Sequence, residues 1–378
     1  MQPNGLSQKK VLSELKKTRD QDKRYEDGKI LCSMCTKPHP IAEKAYLLYL
    51  NSNLGDPGLF PGSAKLEKEV IKDLATLLHS ENSVGFLVSG GTEANLLALL
   101  AARNMAHVNQ PEVVLPQSAH FSFNKICDLL NLKPVYADLD GAFKVDLLSV
   151  KKCINKKTVA IVGTAGTAEL GVVDPIEELA RIALEQNVWL HVDAAFGGLV
   201  IPFLKDPKYK FDFSLSAVDS MTVDPHKMGM AAISTGGILF KDPKSLGFIK
   251  TETPYLTESV QYTFIGTRSG ASAASAWAVF RLLGMDGFQK IVDSCIKTTQ
   301  LLTDGLKDSG FSLLVEPTLN ILAFRSEDTK DLAEKFWKKG WFVSYVPRYD
   351  CIRIVVMPHV KKRIARAFLK DLGKMERL

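Results

Sequence analysis

Four polar segments of this 378-residue chain carry side chains that could act together in catalysis. The turn SGGT at 89–92 follows an apolar run, and the free backbone N–H groups of such a turn can bind an anion where a helix begins. Asp193 ends the apolar run LHVD, where a buried carboxylate needs a partner. His120 in QSAHFSF and Lys227 in DPHK also follow apolar runs, and a desolvated lysine amine can act as a nucleophile.

Each feature taken alone also has a structural interpretation. The glycine-rich turn could be only a turn, and it is not a Walker motif because no Gly-Lys-Ser/Thr follows it. Asp193 could pair with a structural arginine, and Lys227 could lie on the surface. Together the features match pyridoxal phosphate, which needs a phosphate cradle, a carboxylate at its ring nitrogen, a flat partner for its ring and a Schiff-base lysine. These needs are met in turn by Thr92, Asp193, His120 and Lys227.

The elements expected to position these residues alternate between strands and helices. Apolar residues recur at helical spacing over 66–78, which predicts an amphipathic helix. The pattern then predicts strands at 85–89, 112–116, 133–139, 158–166 and 188–196, separated by helices that include 92–107, 122–131 and 176–187. Continuous apolar strands alternating with helices indicate an α/β fold with a mostly parallel sheet covered on both faces. Ligands of such sheets bind at the carboxyl ends of the strands, where the four polar segments lie.

The chain is expected to fold in three parts. Residues 1–50 form an N-terminal arm, residues 51–270 a large cofactor-binding α/β domain, and residues 271–378 a small C-terminal α+β domain. The last part begins with two helices, at about 270–285 and 288–308, and continues with short strands and helices.

Composition excludes several classes of protein. Apolar residues make up 46% of the chain and charged residues 24%, which is ordinary for a globular domain and unlike a disordered, collagen-like or coiled-coil chain. The net charge of +6 is too dilute for a nucleic-acid-binding surface. No apolar run is long enough to cross a bilayer. We therefore expect a cytoplasmic protein with a small-molecule substrate, bound neither to nucleic acid nor to a membrane.

Several motifs give the chain a family resemblance. SGGTEAN, AHFSF, HVDAAFGG and DPHK resemble the group II pyridoxal-phosphate-dependent amino acid decarboxylases. NLGDPGLFPG, SMC and RIVVMPH are similar to the archaeal L-tyrosine/L-aspartate decarboxylase branch, and the resemblance extends from about Gly28 to about Leu372. It implies a fold type I enzyme with a mostly parallel sheet of the seven-stranded type. It also implies a homodimer with active sites at the subunit interface, and a role in archaeal coenzyme A or methanofuran biosynthesis.

The resemblance implies a role for each matching residue. Lys227 would hold pyridoxal 5'-phosphate as a Schiff base, and Asp193 would pair with the ring nitrogen. His120 would stack on one face of the ring, with Ala195 against the other. The residues that would contact the phosphate are Gly91, Thr92 and His226.

Three further positions carry expectations about the substrate and the cofactor. Arg353 in CIRIVVM is similar to an arginine that binds a substrate carboxylate in related glutamate decarboxylases, although a strand-edge ion pair would also explain it. Arg268 in GTRSG is the alternative carboxylate partner. Tyr255 in TPYLTE matches a loop tyrosine that donates a proton to the substrate carbon. Where the family commonly has Gly-Thr-Thr, this chain has Ala168 after Thr167, so either Thr167 contacts the cofactor's 3′-oxygen or that hydrogen bond is absent.

The reaction implied by the resemblance is decarboxylation of an L-amino acid. Aspartate would give β-alanine, tyrosine would give tyramine and glutamate would give γ-aminobutyrate. An aminotransferase or a carbon–sulfur lyase remains an alternative, because these enzymes share the lysine and the aspartate. A zinc or redox module is another, since Cys32 and Cys35 form C-x-x-C with His39 close behind. Against a metal site, the other cysteines are scattered and no second C-x-x-C completes a tetrahedral set.

Overall fold

A seven-stranded sheet forms the centre of the molecule, which is seen here in a computed structural model that describes residues 3–206 and 209–375. Its strands are β1 (Val84–Val88), β2 (Glu112–Pro116), β3 (Lys133–Ala137), β4 (Thr158–Thr164), β5 (Trp189–Asp193), β6 (Val218–Val223) and β7 (Gly236–Phe240). Their order across the sheet is β1-β7-β6-β5-β4-β2-β3. Only β7 runs antiparallel to its neighbours, so the expected mostly parallel α/β sheet is confirmed.

Helices cover both faces of this sheet. The helices of this part of the chain are α1 (Gln8–Arg19), α2 (Pro40–Leu48), α3 (Pro61–Leu77), α4 (Gly91–Ala106), α5 (Ser122–Leu129), α6 (Leu147–Cys153) and α7 (Ile176–Gln186), of which α1 is exposed and covers neither face. Side chains alternate between faces, so Val113 of β2 belongs to the core that includes α4 and α5, while Val114 belongs to the core on the other face, which includes α3 and α7. Burial on both faces explains why the strands are apolar at nearly every position.

The C-terminal part is a second, smaller sheet. Its strands are β10 (Ser312–Leu313), β11 (Ile321–Arg325), β12 (Ser344–Val346) and β13 (Cys351–Val355), in the antiparallel order β10-β11-β13-β12. The helices around it are α9 (Thr329–Lys338) and α10 (Lys362–Met375). Helix α8 (Gly270–Asp308) joins it to the large sheet and contains the two predicted helices, which meet at a kink where Gly284 has φ 53°.

Short elements complete the chain. A hairpin is formed by β8 (Thr251–Glu252) and β9 (Val260–Gln261). Single turns of 3-10 helix occur at Tyr25–Asp27, Gly197–Leu199, Ile201–Phe203 and Pro347–Tyr349, with a longer one at Pro243–Phe248. Within the described ranges, no helix combines the length and the apolarity that crossing a bilayer requires.

The segment predicted as an N-terminal arm is anchored to both sheets. Leu31 donates its N–H to the carbonyl of Phe342 at 2.8 Å and accepts from Val355 at 2.7 Å, both near the small sheet. His39 donates its N–H to the carbonyl of Met230 at 2.9 Å, just beyond Lys227. The boundaries after residues 50 and 270 stay predictions, and residues 1–2 and 376–378 of the outer parts lie outside the described residues.

Candidate active site

A cavity of about 390 Å³ opens at the carboxyl ends of five strands of the large sheet. It is bordered by residues that end or follow β1, β2, β4, β5 and β6. Carboxyl ends of parallel strands meet at one edge of a sheet, which is why segments distant in sequence converge there. Among the residues predicted to bind the cofactor, those that line the cavity are Gly91, Thr92, His120, Asp193, Ala195, His226 and Lys227.

Lys227 follows β6 and lies beside a buried carboxylate. Its Nζ atom is 3.2 Å from Oδ2 of Asp224, and Nε2 of His226 is 3.8 Å from the same oxygen. Because Asp224 is only 2% exposed, the lysine supplies the positive charge that a buried carboxylate needs. Nδ1 of His226 lies 2.7 Å from the carbonyl oxygen of Thr235, which fixes the imidazole at the cavity wall.

Asp193 ends β5 with its carboxylate held by two N–H donors. The side-chain amide of Asn95 donates to Oδ2 at 2.9 Å, and the backbone N–H of Ala195 donates to Oδ1 at 3.1 Å. Asn95 lies on the first turns of α4, which packs against β5 and β6. The carboxylate therefore faces the cavity from a fixed position.

The glycine-rich turn before α4 provides the space and the donors for an anion. A Cβ atom on Gly91 would lie 3.0 Å from Oδ2 of Asp224 and 3.3 Å from Cβ of Ala195, so glycine keeps this wall open. The first N–H groups of a helix have no partner within the helix and carry its positive dipole end. Glu93 braces the turn, because its Oε2 atom accepts from both the N–H and the hydroxyl of Ser89 at 2.8 and 2.7 Å.

His120 is held by its own turn. Its Nδ1 atom accepts from the backbone N–H of Ser122 at 3.3 Å and lies 2.9 Å from the hydroxyl of the same residue. Burial lowers the pKa of the imidazole, with a smaller opposing influence from the charge of Asp193. The ring is therefore neutral near pH 7, with its proton on Nε2.

The cavity also contains buried polar atoms that have no protein partner. Among the described residues, Oγ1 of Thr164 and Oδ1 of Asp224 make no hydrogen bond although both side chains line the cavity. Pyridoxal phosphate has a phosphate, a phenolic oxygen, a ring nitrogen and an aldehyde, and the cavity offers an anion-binding turn, free polar atoms, a fixed carboxylate and an amine. The residues present fit the cofactor.

The position that departs from the family pattern lies at this wall. Ala168 lines the cavity, whereas the hydroxyl of Thr167 accepts from the N–H of Val172 at 3.2 Å. The contact predicted for Thr167 with the cofactor stays a prediction. The free hydroxyl of Thr164, at the end of β4, is a second candidate for it.

Arg353 lies on β13, outside the cavity-lining set, and its side chain is half-buried. One Nη atom donates to the carbonyl of Cys32 at 3.0 Å and lies 3.3 Å from the hydroxyl of Ser344. Its Nε atom is buried without a partner, and no ion pair to this side chain is formed within the described part of the chain. Burial lowers the pKa of the guanidinium to about 10, with smaller opposing influences from Cys32, Glu169 and Cys351.

Arg268, the alternative carboxylate partner, uses both Nη atoms in contacts within the chain, whereas its buried Nε atom makes no hydrogen bond. It forms a buried ion pair with Glu67 and donates to the carbonyl of Leu87 at 2.8 Å. It also donates to the carbonyl of Leu54 at 3.2 Å. These contacts join β1, α3 and the loop before α3, which is a structural role.

Tyr255 does not reach the cavity of its own chain. It lies in the turn between β8 and β9 and is 86% exposed. The turn is tied to the loop before α3, since Gly58 donates its N–H to the hydroxyl of Thr257 at 3.0 Å. Its role as a proton donor stays a prediction.

The C-x-x-C segment has structural contacts. His39 caps α2, because its Nδ1 atom accepts from the N–H of Ile41 at 3.3 Å. Burial raises the thiol pKa of both Cys32 and Cys35, which disfavours the thiolate that binds metals. Across residues 3–206 and 209–375, no three His, Cys, Asp or Glu side chains come together to form a metal site.

Sequence reasoning missed the residues that support the predicted ones. Asn95 and Asp224 lie inside the recognised motifs SGGTEAN and DPHK, but only their neighbours were assigned roles. His191 is two residues before Asp193 and so points to the same face of β5, which the strand alternation could have indicated. Thr164 ends a strand in the same way as Asp193 does.

Comparison with known proteins extends over nearly the whole chain. Residues 49–327 match the pyridoxal-dependent decarboxylase conserved domain. The chain is 44% identical to the L-tyrosine/L-aspartate decarboxylase of Methanocaldococcus jannaschii, covering 100% of this chain and 99% of that protein. It is 47% identical to the L-aspartate decarboxylase of Thermococcus kodakarensis, covering 98% of both.

Solved structures share the architecture. The sphingosine-1-phosphate lyase of Burkholderia pseudomallei superposes with a TM-score of 0.92 at 27% identity, covering 99% of this chain and 91% of that one. The glutamate decarboxylase of Lactobacillus brevis superposes with a TM-score of 0.91 at 23% identity, covering 99% and 93%. At that identity the second likeness concerns the fold.

Proposed function

The chain belongs to the pyridoxal-dependent decarboxylase family, and we propose that its cavity removes the α-carboxylate of L-aspartate or L-tyrosine. It is a pyridoxal-phosphate-dependent amino acid decarboxylase of fold type I, as the resemblance implied. When bound, the cofactor supplies an electron sink for the pair left behind when carbon dioxide departs. The substrate carbon then takes up one proton, so an amino acid and a proton give an amine and carbon dioxide.

Each of the predicted residues that line the cavity has a role in binding the cofactor in this proposal. The Nζ atom of Lys227 binds the cofactor covalently, and the carboxylate of Asp193 accepts a hydrogen bond from its ring nitrogen. An opposite charge beside that nitrogen favours its protonated form. His120 and Ala195 flank the ring. The groups that hold the phosphate are the backbone N–H groups of Gly91 and Thr92 together with His226.

Arg353 is the residue that we propose binds a carboxylate of the substrate. A half-buried guanidinium that has an unpartnered Nε atom and no carboxylate partner among the described residues is favoured by a ligand that supplies the opposite charge. The planar fork of arginine suits a carboxylate. The N-terminal arm links Arg353 to the cavity. The carbonyl oxygen of Cys32 accepts a hydrogen bond from Arg353, and Met34, two residues further along the arm, lines the cavity.

The resemblance to dimeric enzymes supports a homodimer in which the β8–β9 turn serves the cavity of the partner. Tyr255 is 86% exposed and projects from a turn tied to the loop before α3, so its hydroxyl is free to reach a neighbouring subunit. There it would donate the proton that the substrate carbon needs. A cytoplasmic location and a part in coenzyme A or methanofuran biosynthesis stay predictions.

The substrate is tested by measuring carbon dioxide release from L-aspartate, L-tyrosine and L-glutamate side by side. The relatives support turnover of aspartate, tyrosine or both, and glutamate is the third substrate expected from the sequence. Lys227→Ala should abolish release and also remove the borohydride-reducible bond between cofactor and protein. Lys244→Ala, an exposed lysine remote from the cavity, is the matched control. No release from aspartate or tyrosine by the parent protein would overturn the proposed substrates.

A further inference from the structure

A chain of buried hydrogen bonds runs from Asp193 and Asn95, which both line the cavity, into the interior of the protein. Asn95 donates to Asp193 at 2.9 Å, and the carbonyl oxygen of the same amide lies 2.9 Å from Nε2 of His191. Nδ1 of His191 is 2.8 Å from the hydroxyl of Ser220, which accepts from the indole N–H of Trp189 at 2.8 Å. All five side chains are at most 6% exposed, so water does not compete for these contacts.

The direction of this chain is set at Asp193, because its carboxylate can only accept, so Asn95 turns its N–H₂ group to Asp193 and its carbonyl oxygen to His191. The indole of Trp189 can only donate, so the hydroxyl of Ser220 is free to donate its own proton to Nδ1 of His191. Burial lowers the pKa of His191 to about 4, so the ring is neutral. Its single proton is on Nε2, because the carbonyl oxygen of Asn95 can only accept. That proton is donated to the carbonyl oxygen of Asn95.

A second donor requires the same orientation of the Asn95 amide. The hydroxyl of Thr222 donates to the carbonyl oxygen of Asn95 at 2.6 Å. With two donors on its oxygen, the amide must present its N–H₂ group to Asp193. The reverse orientation would place a carbonyl oxygen against the carboxylate and leave two buried donors unpaired, which costs far more than one hydrogen bond.

We propose that Trp189, Ser220, His191 and Asn95 form a positioning chain that fixes the carboxylate of Asp193 toward the ring nitrogen of the cofactor. This inference rests on the proposed role of Asp193. Asn95 contacts the carboxylate directly and His191 acts through Asn95, so both tune how strongly Asp193 holds the ring nitrogen protonated. Chains of oriented hydrogen bonds reinforce one another in a dry interior.

His191→Phe tests the proposal, because it removes both ring nitrogens and keeps a planar ring. We expect roughly tenfold weaker binding of pyridoxal phosphate when cofactor-free protein is titrated with it, as for loss of one buried hydrogen bond. The pH dependence of the bound cofactor's absorption spectrum should also shift. kcat should fall by about tenfold while KM stays within about twofold, since the substrate contacts are untouched. His191→Gln, which keeps one donor and one acceptor, should recover part of each change.

Trp341→Phe is the matched control for stability. Trp341 is equally buried and donates to Asp371 at 3.0 Å, but it lies in the core of the small sheet. It should lower the thermal midpoint without altering the spectrum or the cofactor affinity. If His191→Phe fails to fold, Thr222→Val, which removes the other donor to Asn95, is measured by the same criteria.

Parent-like affinity and spectrum in the His191→Phe protein, or in Thr222→Val as its substitute, would overturn the positioning chain. Equal spectral changes in Trp341→Phe would also overturn it, because a general loss of stability would then explain them. In both of these outcomes the parent protein binds pyridoxal phosphate and is active. A parent protein that binds no pyridoxal phosphate would instead overturn the assigned role of Asp193.

Discussion

The Oε1 atom of Glu93 accepts a hydrogen bond from the backbone N–H of Ile265 at 3.1 Å. The other oxygen of this buried carboxylate accepts from Ser89, in the turn that forms the anion cradle. Ile265 follows the β8–β9 hairpin that carries Tyr255. One side chain therefore connects the proposed phosphate site to the segment proposed to supply the proton.

Glu93→Gln should loosen both ends of this connection. An amide nitrogen would face the N–H of Ile265 or that of Ser89, so at least one buried donor loses its acceptor. We expect the dissociation constant for pyridoxal phosphate to rise by roughly three- to tenfold, together with faster hydrogen exchange at residues 262–267. Glu112→Gln is the matched control, since Glu112 is equally buried at the amino end of β2. Unchanged exchange and affinity would show that the connection is dispensable.

Mixing two inactive variants tests whether Tyr255 acts across a homodimer. Tyr255→Phe should bind cofactor but turn over slowly, and Lys227→Ala should be inactive. If each subunit lends Tyr255 to the other, unfolding and refolding the two variants together at equal concentrations should restore about a quarter of the parent activity. Each mixed dimer then contains one intact site. Activity no higher than the average of the separate variants would place Tyr255 in its own subunit's site or outside catalysis.

Asp193→Asn should bind cofactor and react slowly, because a neutral amide cannot stabilise a protonated ring nitrogen. We expect a loss of about 3 kcal/mol in activation free energy, comparable to removing one preorganised electrostatic partner. This corresponds to roughly a hundredfold in kcat. Asp219→Asn, at the amino end of β6, provides the control. A variant within about threefold of the parent would exclude this role.

Arg353→Lys keeps the positive charge but loses the planar fork. If Arg353 binds the α-carboxylate, kcat/KM should fall at least tenfold for every amino acid substrate, because each one has that group. If it binds the side chain, the fall should be confined to aspartate and glutamate. Arg325→Lys on neighbouring β11 is the control, since that exposed guanidinium donates only to the carbonyl of Tyr349. Unchanged kinetics on all three substrates would exclude Arg353 as the carboxylate partner.

The buried imidazole of His191 should make stability depend on pH. Its pKa is lowered to about 4 in the folded protein by burial, whereas an unfolded histidine titrates near pH 6.5. Between these values the unfolded chain binds more protons, so the free energy of unfolding falls as pH falls from about 6.5 to about 4, by about 3 kcal/mol in total. Above about pH 6.5 this contribution is constant.

Denaturant unfolding of the parent and of His191→Phe at several pH values measures this contribution. The variant should be less stable at pH 7, with a shallower loss of stability on acidification. Comparison of the two proteins is needed because burial raises the pKa of Asp174 and Asp219 to about 6, which has the opposite sign. Parallel pH profiles would contradict a neutral, buried His191.

The strand ends could be predicted because their signals are local. Continuous apolar runs gave β2, β4 and β5 to within a few residues, and the polar residues that closed them had to share one edge of the sheet. Gly91, Asp193 and Lys227 therefore line one cavity although they are distant in sequence. The helices α1 and α2 were not assigned, because α1 is exposed along its whole length and carries little information about burial.

Long-range partners could not be predicted in the same way. From the sequence, Arg353 could either bind a substrate carboxylate or form an ion pair at a strand edge. Only the packed structure shows that its Nε atom is buried with no partner. His39 had a metal ligand as its alternative, and its place at the start of α2 shows a helix cap. Arg268 was considered for a substrate carboxylate, but the folded chain pairs it with Glu67.

The sequence by itself determined the class of fold, the cofactor chemistry and the positions of lysine and aspartate, because these depend on local periodicity and on residue types that few other functions combine. The tertiary structure alone decided which polar atoms are satisfied. Asn95 and His191 are 96 residues apart, and the directions of their hydrogen bonds follow from the carboxylate of Asp193, which can only accept, once water is excluded. In a buried site each donor must find an acceptor, so the arrangement is set by the whole packed environment and not by any one segment.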